Sequence, residues 1–376
     1  MRPFRRGKML RRTAPRDAND DAGLRERGFD KAGVVHRFRR AAREQVAARA
    51  PGLERRLAAR GRDISVVKSD RCPKDLKGTL GHASTTHEEP IGARALCEVM
   101  KIATYNVNGI NGRLPVLLRW LELAAPDIVC LQELKAPDES FPEDAIRDAG
   151  YEAVWHGQSR WNGVAILSRV GEIHETRRGL PGDPSDEQSR YIEAAVNGVL
   201  VCGLYLPNGN PRPGPKFDYK LRWFERLRDY LATLIGLDAP VVCLGDFNVM
   251  PTDLDVYAPE RWRDDALFAP EVRAAYARLL DQGWTDAVRA LHPDETIYTF
   301  WKYWRGAFER NAGLRIDHAL LNPVAAKRLV AADVDMRPRG WDKTSDHAPL
   351  CIELSERTVT RKRAKTPRKS AARRES

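Results

Sequence analysis

The sequence predicts an α/β fold built on mixed sheets. Between residues 100 and 355, short apolar runs alternate with amphipathic stretches, a pattern typical of strand and helix units. An Asn197-Gly198 pair separates two strand-like runs and predicts a hairpin, so antiparallel pairing is expected as well. Polar side chains follow several of the apolar runs, as they do at the edge of an α/β sheet where ligands bind.

The individual elements follow from these runs in chain order. Strands are predicted where apolar β-formers cluster, and helices where apolar residues recur at three- and four-residue spacing. The predicted strands are residues 101–105, 127–131, 163–168, 191–196, 200–206, 241–244, 316–321 and 348–354. The predicted helices are residues 113–123, 217–235 and 323–330. Trp120, Trp223 and Trp284 are predicted to belong to the core.

The two ends of the chain differ in charge from its centre. Residues 1–99 carry 24 basic and 13 acidic side chains, residues 357–376 carry nine and one, and residues 100–356 carry 30 and 38. Basic segments favour polyanions through counterion release. We therefore predict a central domain at 100–356 between basic, disordered extensions at 1–99 and 357–376. Two interpretations of residues 1–99 stay open: Met100 is the true start, or the extension attracts DNA.

The cysteines and the hydropathy of the chain predict its cellular compartment. The six cysteines show no metal-binding spacing, and Cys130, Cys202, Cys243 and Cys351 lie inside apolar strand-like runs. We expect buried free thiols, which are typical of a reducing bacterial cytoplasm. No apolar run approaches the roughly 18 to 20 residues needed to span a bilayer, so no membrane partner is expected.

Six polar clusters at strand ends contain the candidate site residues. Because such ends meet at the mouth of an α/β sheet, we expect the clusters to converge on a Mg²⁺ and phosphate site. Their polar members are Asn106 and Asn108, Glu133, Tyr205 and Asn208, Asp246 and Asn248, Arg315 and Asp317, and Asp346 and His347.

Several clusters have a structural alternative. Glu133 follows a strand and suits a hard cation, but taken alone this position favours a helix-capping role. Asn106 and Asn108 share one face by the period of two and fit phosphate or metal-bound water, or a turn. Asp246 could activate water while Asn248 holds phosphate; an Asx turn is the alternative.

A histidine and an aromatic stretch complete the candidate site. Asp317 is the expected partner of His347, and would fix its tautomer and favour its charged form beside a phosphate. Residues 298–305 interleave aromatic and basic side chains, which suits stacking on exposed bases. Core packing is the alternative for about half of these rings.

On these motifs, residues 100–355 resemble the exonuclease III family of apurinic/apyrimidinic endonucleases, within the endonuclease/exonuclease/phosphatase superfamily. All six clusters fit, as do residues 216–223 and 313–317. The resemblance implies a four-layer αββα sandwich with the site at one end of two packed sheets. It also implies Mg²⁺ as the cofactor, with Mn²⁺ as a substitute.

The resemblance also implies roles for the residues. Glu133 would be the principal Mg²⁺ ligand, Asn106 would position Asp246 to activate water, and His347 would hold a phosphoryl oxygen. The implied catalytic set is Tyr205, Asp246, Asn248, Asp317 and His347. The implied metal set is Asn106, Glu133, Asp246, Asn248, Asp346 and His347, in a one- or two-metal scheme. The implied DNA-contacting set is Asn108, Asn208, Phe300, Trp301, Trp304 and Arg315.

The function implied is that of a monomeric DNA repair nuclease acting on double-stranded DNA. It would cut 5′ to abasic sites or trim 3′ ends, and the balance of these activities is open. Lipid or inositol phosphatases and nonspecific deoxyribonucleases usually have a His where this chain has Asn208. A non-catalytic module is the other alternative, although no cluster lacks its group. Phe300 replaces the family's stacking Trp, with Trp301 adjacent, and residues 1–99 lie outside the family pattern.

Overall fold

The computed structural model describes residues 99–356. Of the extensions expected at 1–99 and 357–376, only Val99 is described, and it belongs to a strand rather than to a disordered segment; the predicted disorder of the other residues stays a prediction. Among residues 99–356, no helix has the length and apolar character needed to cross a bilayer.

Twelve strands and six α-helices form the described region. The strands are β1 (Val99–Asn106), β2 (Ile128–Gln132), β3 (Glu152–His156), β4 (Val164–Ser168), β5 (Ile173–Arg178), β6 (Tyr191–Val196), β7 (Val199–Tyr205), β8 (Val241–Asp246), β9 (Thr285–Asp286), β10 (Asp317–Leu321), β11 (Leu329–Val334) and β12 (Leu350–Ser355). The helices are α1 (Ile110–Ala124), α2 (Glu143–Asp148), α3 (Pro215–Leu234), α4 (Pro270–Asp281), α5 (Ala287–Leu291) and α6 (Pro323–Ala326).

The strands form two mixed six-stranded sheets. One has the order β11-β12-β1-β2-β4-β3 and the other the order β5-β6-β7-β8-β10-β9. Each has one parallel pair at its centre, β1 with β2 and β7 with β8. Helix α1 connects the first pair and α3 the second, so the two halves repeat one arrangement.

Three apolar clusters hold these layers together. One lies between the sheets and includes Ile128, Val201 and Leu244. A second packs α1 and α2 on the first sheet, and a third packs α3 and α4 on the second. Each side chain of this size contributes about 1.5 to 3 kcal/mol when it is fully buried. The predicted four-layer αββα sandwich is confirmed.

Most predicted elements exist within a few residues of their expected bounds. The hairpin at Asn197-Gly198 joins β6 to β7, and Trp120, Trp223 and Trp284 are buried. Cys130, Cys202, Cys243 and Cys351 are free thiols; the first three are buried, as expected, whereas Cys351 is partly exposed.

The prediction of a helix across residues 323–330 is wrong beyond Ala326. Residues from Leu329 onward form β11, which pairs antiparallel with β12. Proline at the first helical position and the alanines favour a helix locally. Pairing with β12 outweighs that helical propensity, because it satisfies the backbone hydrogen-bonding groups and buries Leu329 and Ala332.

Candidate active site

The six polar clusters meet at one end of the sandwich. Asn106 ends β1 and lies across the sheet interface from Asp246, which ends β8. Asn106 Nδ2 donates to Glu133 Oε1 at 2.9 Å and to Asp246 Oδ2 at 3.0 Å. One amide therefore joins a residue of the first sheet to a residue of the second, 140 positions apart.

A hollow of about 270 Å³ lies over this junction. We call it the catalytic hollow. The predicted site residues that line it are Glu133, Tyr205, Asn208, Asp246, Asn248, Asp346, His347 and Phe300.

Three of the site residues have left-handed backbone conformations. The φ angles are 48° at Asn108, 53° at Glu133 and 46° at Asn248. Asparagine tolerates this region, whereas glutamate rarely adopts it. Backbone strain of this kind concentrates at functional sites, which supports a working role for Glu133.

Gly245 allows β8 to approach β7 closely next to Asp246. A Cβ added at Gly245 would lie 1.9 Å from the carbonyl oxygen of Leu204. Any side chain would therefore displace the strand that carries Asp246, and the Gly245-Asp246 order is a steric requirement of the site.

Asp246 is a buried carboxylate that takes up protons readily. Burial raises the pKa of Asp246 to about 7, with a further rise from the charges of Asp317 and Glu133 and a partial offset from His347. The backbone amide of Asn248 donates to Asp246 Oδ1 at 2.8 Å. The group is thus fixed in position, and its pKa lies near neutral pH, as a general base requires.

His347 is held as a cation by Asp317. Its Nδ1 lies 2.8 Å from Asp317 Oδ2, and its Nε2 lies 3.8 Å from Asp246 Oδ2. Burial alone would lower the pKa of His347, but the neighbouring carboxylates, chiefly Asp317, raise it to about 10. Nε2 therefore points a proton toward Asp246 and the catalytic hollow.

The carboxylate of Glu133 is kept ionised and is already bridged by a cation. Burial would raise the pKa of Glu133, but Lys135 and Asn106 hold it below its ordinary value. Lys135 Nζ lies 2.9 Å from Glu133 Oε2 and 2.6 Å from Asn108 Oδ1. An ammonium thus bridges a carboxylate and an amide oxygen, the donor types that Mg²⁺ prefers.

Asp346 and Tyr205 complete the oxygen-rich side of the hollow. Asn108 Nδ2 donates to Asp346 Oδ1 at 2.9 Å, and Tyr205 OH donates to Glu133 Oε1 at 2.8 Å. Burial, together with the carboxylates of Glu133 and Asp246, raises the pKa of Tyr205 well above its ordinary value. Tyr205 is therefore a neutral donor here.

Three further residues that could bind a metal ion lie close together beside Glu133. In the described part of the chain, ligand atoms of Asp246, Asp317 and His347 come within 4.8 Å of one another. His347 Nδ1 is already paired with Asp317 Oδ2 at 2.8 Å, which leaves Nε2 as the imidazole nitrogen without that partner. This set fits a paired acid and base group, whereas the oxygen donors around Glu133 suit a hard cation.

A buried lysine joins the two loops that carry the site amides. Asn208 Nδ2 donates to Asn248 Oδ1 at 3.1 Å. Lys220 Nζ donates to the carbonyl oxygens of Asn208 at 2.9 Å and Asn248 at 2.6 Å. Burial lowers the pKa of Lys220 to about 7.

The aromatic stretch divides into buried and accessible rings. Trp301 is buried, and its Nε1 donates to Asn311 Oδ1. Trp301 does not line the catalytic hollow, so the prediction that it contacts DNA is corrected. Phe300 lines the catalytic hollow, with its ring centroid 5.0 Å from that of His347. Trp304 is 61% exposed.

Arg315 is a structural residue. It is fully buried, with Nε 2.6 Å from Asp255 Oδ1 and NH1 2.9 Å from Asp286 Oδ2. The prediction that Arg315 contacts DNA is therefore wrong. An arginine just before a strand looks like a surface cation in the sequence, because both carboxylate partners lie far away along the chain.

Lys135, Lys220 and Ser345 were missed as site residues. Ser345 Oγ donates to the carbonyl oxygen of Asn106 at 2.6 Å and so ties β1 to the Asp346-His347 turn. Lys220 had a signal, because it lies on the apolar face of α3 with Phe217 and Phe224. Lys135 lies two residues after Glu133. That spacing could have suggested that the two side chains point in the same direction.

Known proteins resemble this chain over its described region. Residues 103–347 match the model of the Endonuclease/Exonuclease/phosphatase family. Exodeoxyribonuclease III of Haemophilus influenzae is 36% identical over 267 residues, which cover 68% of this chain and 100% of that protein.

Solved structures agree with the sequence relatives. An AP endonuclease from Archaeoglobus fulgidus superposes with a TM-score of 0.65 at 39% identity, covering 68% of this chain and 99% of that one. A variant of a 3′ phosphatase from Neisseria, bound to a product DNA hairpin, has a TM-score of 0.65 at 41% identity, with coverages of 68% and 99%.

Proposed function

Because the chain belongs to the Endonuclease/Exonuclease/phosphatase family, we propose that it cleaves the phosphodiester bond 5′ to an abasic site in double-stranded DNA, with Mg²⁺ as cofactor. Its relatives include an exodeoxyribonuclease III and an AP endonuclease. The chain is therefore a hydrolase of the DNA repair nuclease class. Cleaning of 3′ ends belongs to the same proposal. The observation that carries it is the convergence of Asp246, His347 and Glu133 on one hollow.

Glu133 is the proposed principal metal ligand, with Asn108 and Asp346 beside it. The bridging position of Lys135 Nζ supports a cation site there, and the oxygen donors suit Mg²⁺, with Mn²⁺ as a substitute. Bound Mg²⁺ would supply Lewis-acid stabilisation of the phosphate charge. Asn106 from the first sheet and Tyr205 from the second both donate to Glu133 Oε1 and hold the carboxylate in place.

Asp246 is the proposed general base. Its carboxylate would take a proton from the attacking water, and its pKa of about 7 suits that step. Asn106 and the Asn248 amide fix its two oxygens. Because these contacts exist before substrate binds, little reorganisation is needed during the reaction.

His347, Asn208 and Asn248 are proposed to bind the scissile phosphate. The cationic imidazole, kept protonated by Asp317, donates to a phosphoryl oxygen as negative charge develops on it. Asn248 Nδ2 is held by the Leu206 carbonyl at 2.9 Å, so its orientation is fixed. This assignment favours a phosphate role over metal ligation for His347.

The DNA-contacting residues are proposed to surround the hollow. Phe300 borders it, and exposed Trp304 is available to stack on DNA. An abasic sugar has no stacked base, so extruding it costs less than flipping an ordinary nucleotide. A monomer in a reducing bacterial cytoplasm remains part of the proposal, supported by the four free thiols.

The decisive test uses a labelled duplex that carries one abasic analogue. We expect a single cut on its 5′ side with Mg²⁺ and none with a chelator. Glu133→Gln should lower the rate by at least about a hundredfold, the upper end for groups that merely support a metal ligand. A higher Mg²⁺ concentration should restore part of the lost incision rate. Glu143→Gln, at an exposed position of α2, serves as the matched control.

Two results would contradict the proposal. One is incision that continues in the chelator, and the other is equal activity of Glu133→Gln and Glu143→Gln.

Lys220→Met is expected to lower incision about tenfold. The change leaves two carbonyl oxygens without their donor, at a cost of about 1 to 3 kcal/mol, and loosens the loops of Asn208 and Asn248. Removing a buried ammonium offsets part of that cost, so the melting temperature should change little. Lys216→Met, at an exposed position of the same helix, should match the wild type in both measurements. Equal rates for the two variants would contradict the positioning role.

A further inference from the structure

A lysine ammonium occupies the oxygens that are proposed to bind the metal ion. Lys135 Nζ lies 2.9 Å from Glu133 Oε2 and 2.6 Å from Asn108 Oδ1. The side chain of Glu133 is 16% exposed, so solvent screens charges there weakly, and two cations that share its oxygens repel each other. A divalent cation can therefore use these oxygens only after the Lys135 ammonium has moved away from them.

The indole of Trp161 lies near the same ammonium. Lys135 Nζ is 5.7 Å from the centroid of that ring, within the distance at which an aromatic face attracts a cation. Trp161 is 73% exposed, more than any other large hydrophobic residue among residues 99–356, so burial in the core does not explain its position. Because the lysine side chain is a flexible four-carbon stem, the ring offers the ammonium a second favourable position within its reach.

The backbone fixes the indole next to the proposed cation site. Lys135 N donates to the carbonyl oxygen of Asn162 at 2.8 Å, and Asn162 is itself buried. Arg160 and Trp161 both have left-handed backbones, with φ angles of 63° and 60°, which bulky residues rarely adopt. The loop that presents Trp161 is therefore tied to the segment that carries Lys135, and it is held there with backbone strain of the kind that concentrates at functional sites.

We propose that Trp161 receives the Lys135 ammonium when a divalent cation binds at Glu133, and that this exchange strengthens cation binding. The inference rests on the cation site of the proposed function. In the exchange, the lysine charge leaves the oxygens of Glu133 and Asn108 and moves onto an aromatic face. Trp161 is a positioning residue in this scheme, because it acts on the metal site through Lys135.

The test measures Mn²⁺ binding without DNA, from the electron paramagnetic resonance signal of the free ion, so that catalytic activity does not enter. Trp161→Ala should weaken Mn²⁺ binding about two- to fivefold, the range for loss of a partly exposed cation–π contact. Trp161→Phe should lie between Trp161→Ala and the wild type, because phenylalanine attracts cations less strongly than tryptophan does. Leu123→Ala, at a 51% exposed position of α1, is the control and should bind Mn²⁺ as the wild type does.

Lys135→Met separates the proposed exchange from a merely structural role of the ring. The change should tighten Mn²⁺ binding by up to about fivefold, because it removes the competing charge. In the Lys135→Met background, Trp161→Ala should no longer alter the Mn²⁺ affinity, because the ring has no ammonium to receive.

A second readout follows the ring itself by NMR with Mg²⁺. The indole Nε1–H signal of Trp161 can be identified by its absence from the spectrum of Trp161→Phe. Addition of Mg²⁺ should shift this signal in the wild type and should shift it less in Lys135→Met. An equal shift in the two proteins would contradict a transfer of the ammonium to the ring.

The outcomes separate the inference from the proposed function. The inference alone is overturned if Trp161→Ala leaves the Mn²⁺ affinity unchanged, or if its effect persists in the Lys135→Met background. Weaker binding of abasic DNA by Trp161→Ala, with normal Mn²⁺ binding, would show that the ring contacts DNA instead. Equal Mn²⁺ affinities of the wild type and Glu133→Gln would overturn the proposed cation site and the inference with it.

Discussion

Replacing Asp246 by Asn is expected to lower Mg²⁺-dependent incision of an abasic duplex by about a thousandfold. A positioned general base contributes about 10² to 10⁴ in rate, and Asn cannot take the proton from water. The shape of the residue is retained, and a buried charge is removed, so the fold should remain stable. The measurement is single-turnover incision, with DNA binding followed separately by fluorescence anisotropy.

The matched control for this change is Asp144→Asn. Asp144 lies in α2 with its side chain 94% exposed, and its replacement should leave the rate unchanged. An Asp246→Asn protein that retains more than about a tenth of the wild-type rate would show that another group accepts the proton.

Arg315→Met is expected to cause the largest loss of stability. Arg315 is fully buried between Asp255 and Asp286. Removing one partner of a buried ion pair costs about 3 to 5 kcal/mol, because Asp286 loses its cation and Asp255 keeps only Arg289. Denaturant unfolding should show this loss, whereas Arg147→Met, which breaks an exposed pair with Glu143, should cost less than about 1 kcal/mol.

The loss caused by Arg315→Met should depend on pH with a definite sign. Burial would raise the pKa of Asp255 and Asp286, but Arg315 holds both pKa values below their ordinary range. Their stabilising contribution is therefore complete above the unfolded pKa of about 3.9 and is lost as pH falls through the folded pKa values. In Arg315→Met the carboxylates can be protonated, so the difference from the wild type should shrink below about pH 4. A difference that is constant from pH 7 to pH 3 would contradict the ion-pair explanation.

The convergence of the polar clusters could be predicted from the sequence, because most of them adjoin buried strands. Apolar runs that end in Asn106 or Asp246, or that begin at Asp317, are recognisable from their composition, and strand ends converge in an α/β fold. The pairing of Asp317 with His347 could likewise be anticipated from their positions at strand starts, and the structure brings them to 2.8 Å.

Other features depend on contacts that no local pattern contains. Arg315 is buried beside two carboxylates that lie 29 and 60 positions away along the chain. Its burial could be predicted only from knowledge of both contacts. The edge strand β3 was missed because its residues are half-exposed and its sequence is mixed. Helix α4 had an available signal, since Val272, Ala275, Tyr276 and Leu279 share a buried face, and the prediction omitted it.

The most direct test of the central claim is a crystal structure of the protein grown with Mn²⁺, with the ion located by anomalous scattering. The account predicts an ion directly coordinated by the Glu133 carboxylate, in the catalytic hollow and within reach of Asp346. An ion bound only elsewhere on the protein, with Lys135 still bridging Glu133 and Asn108, would contradict it.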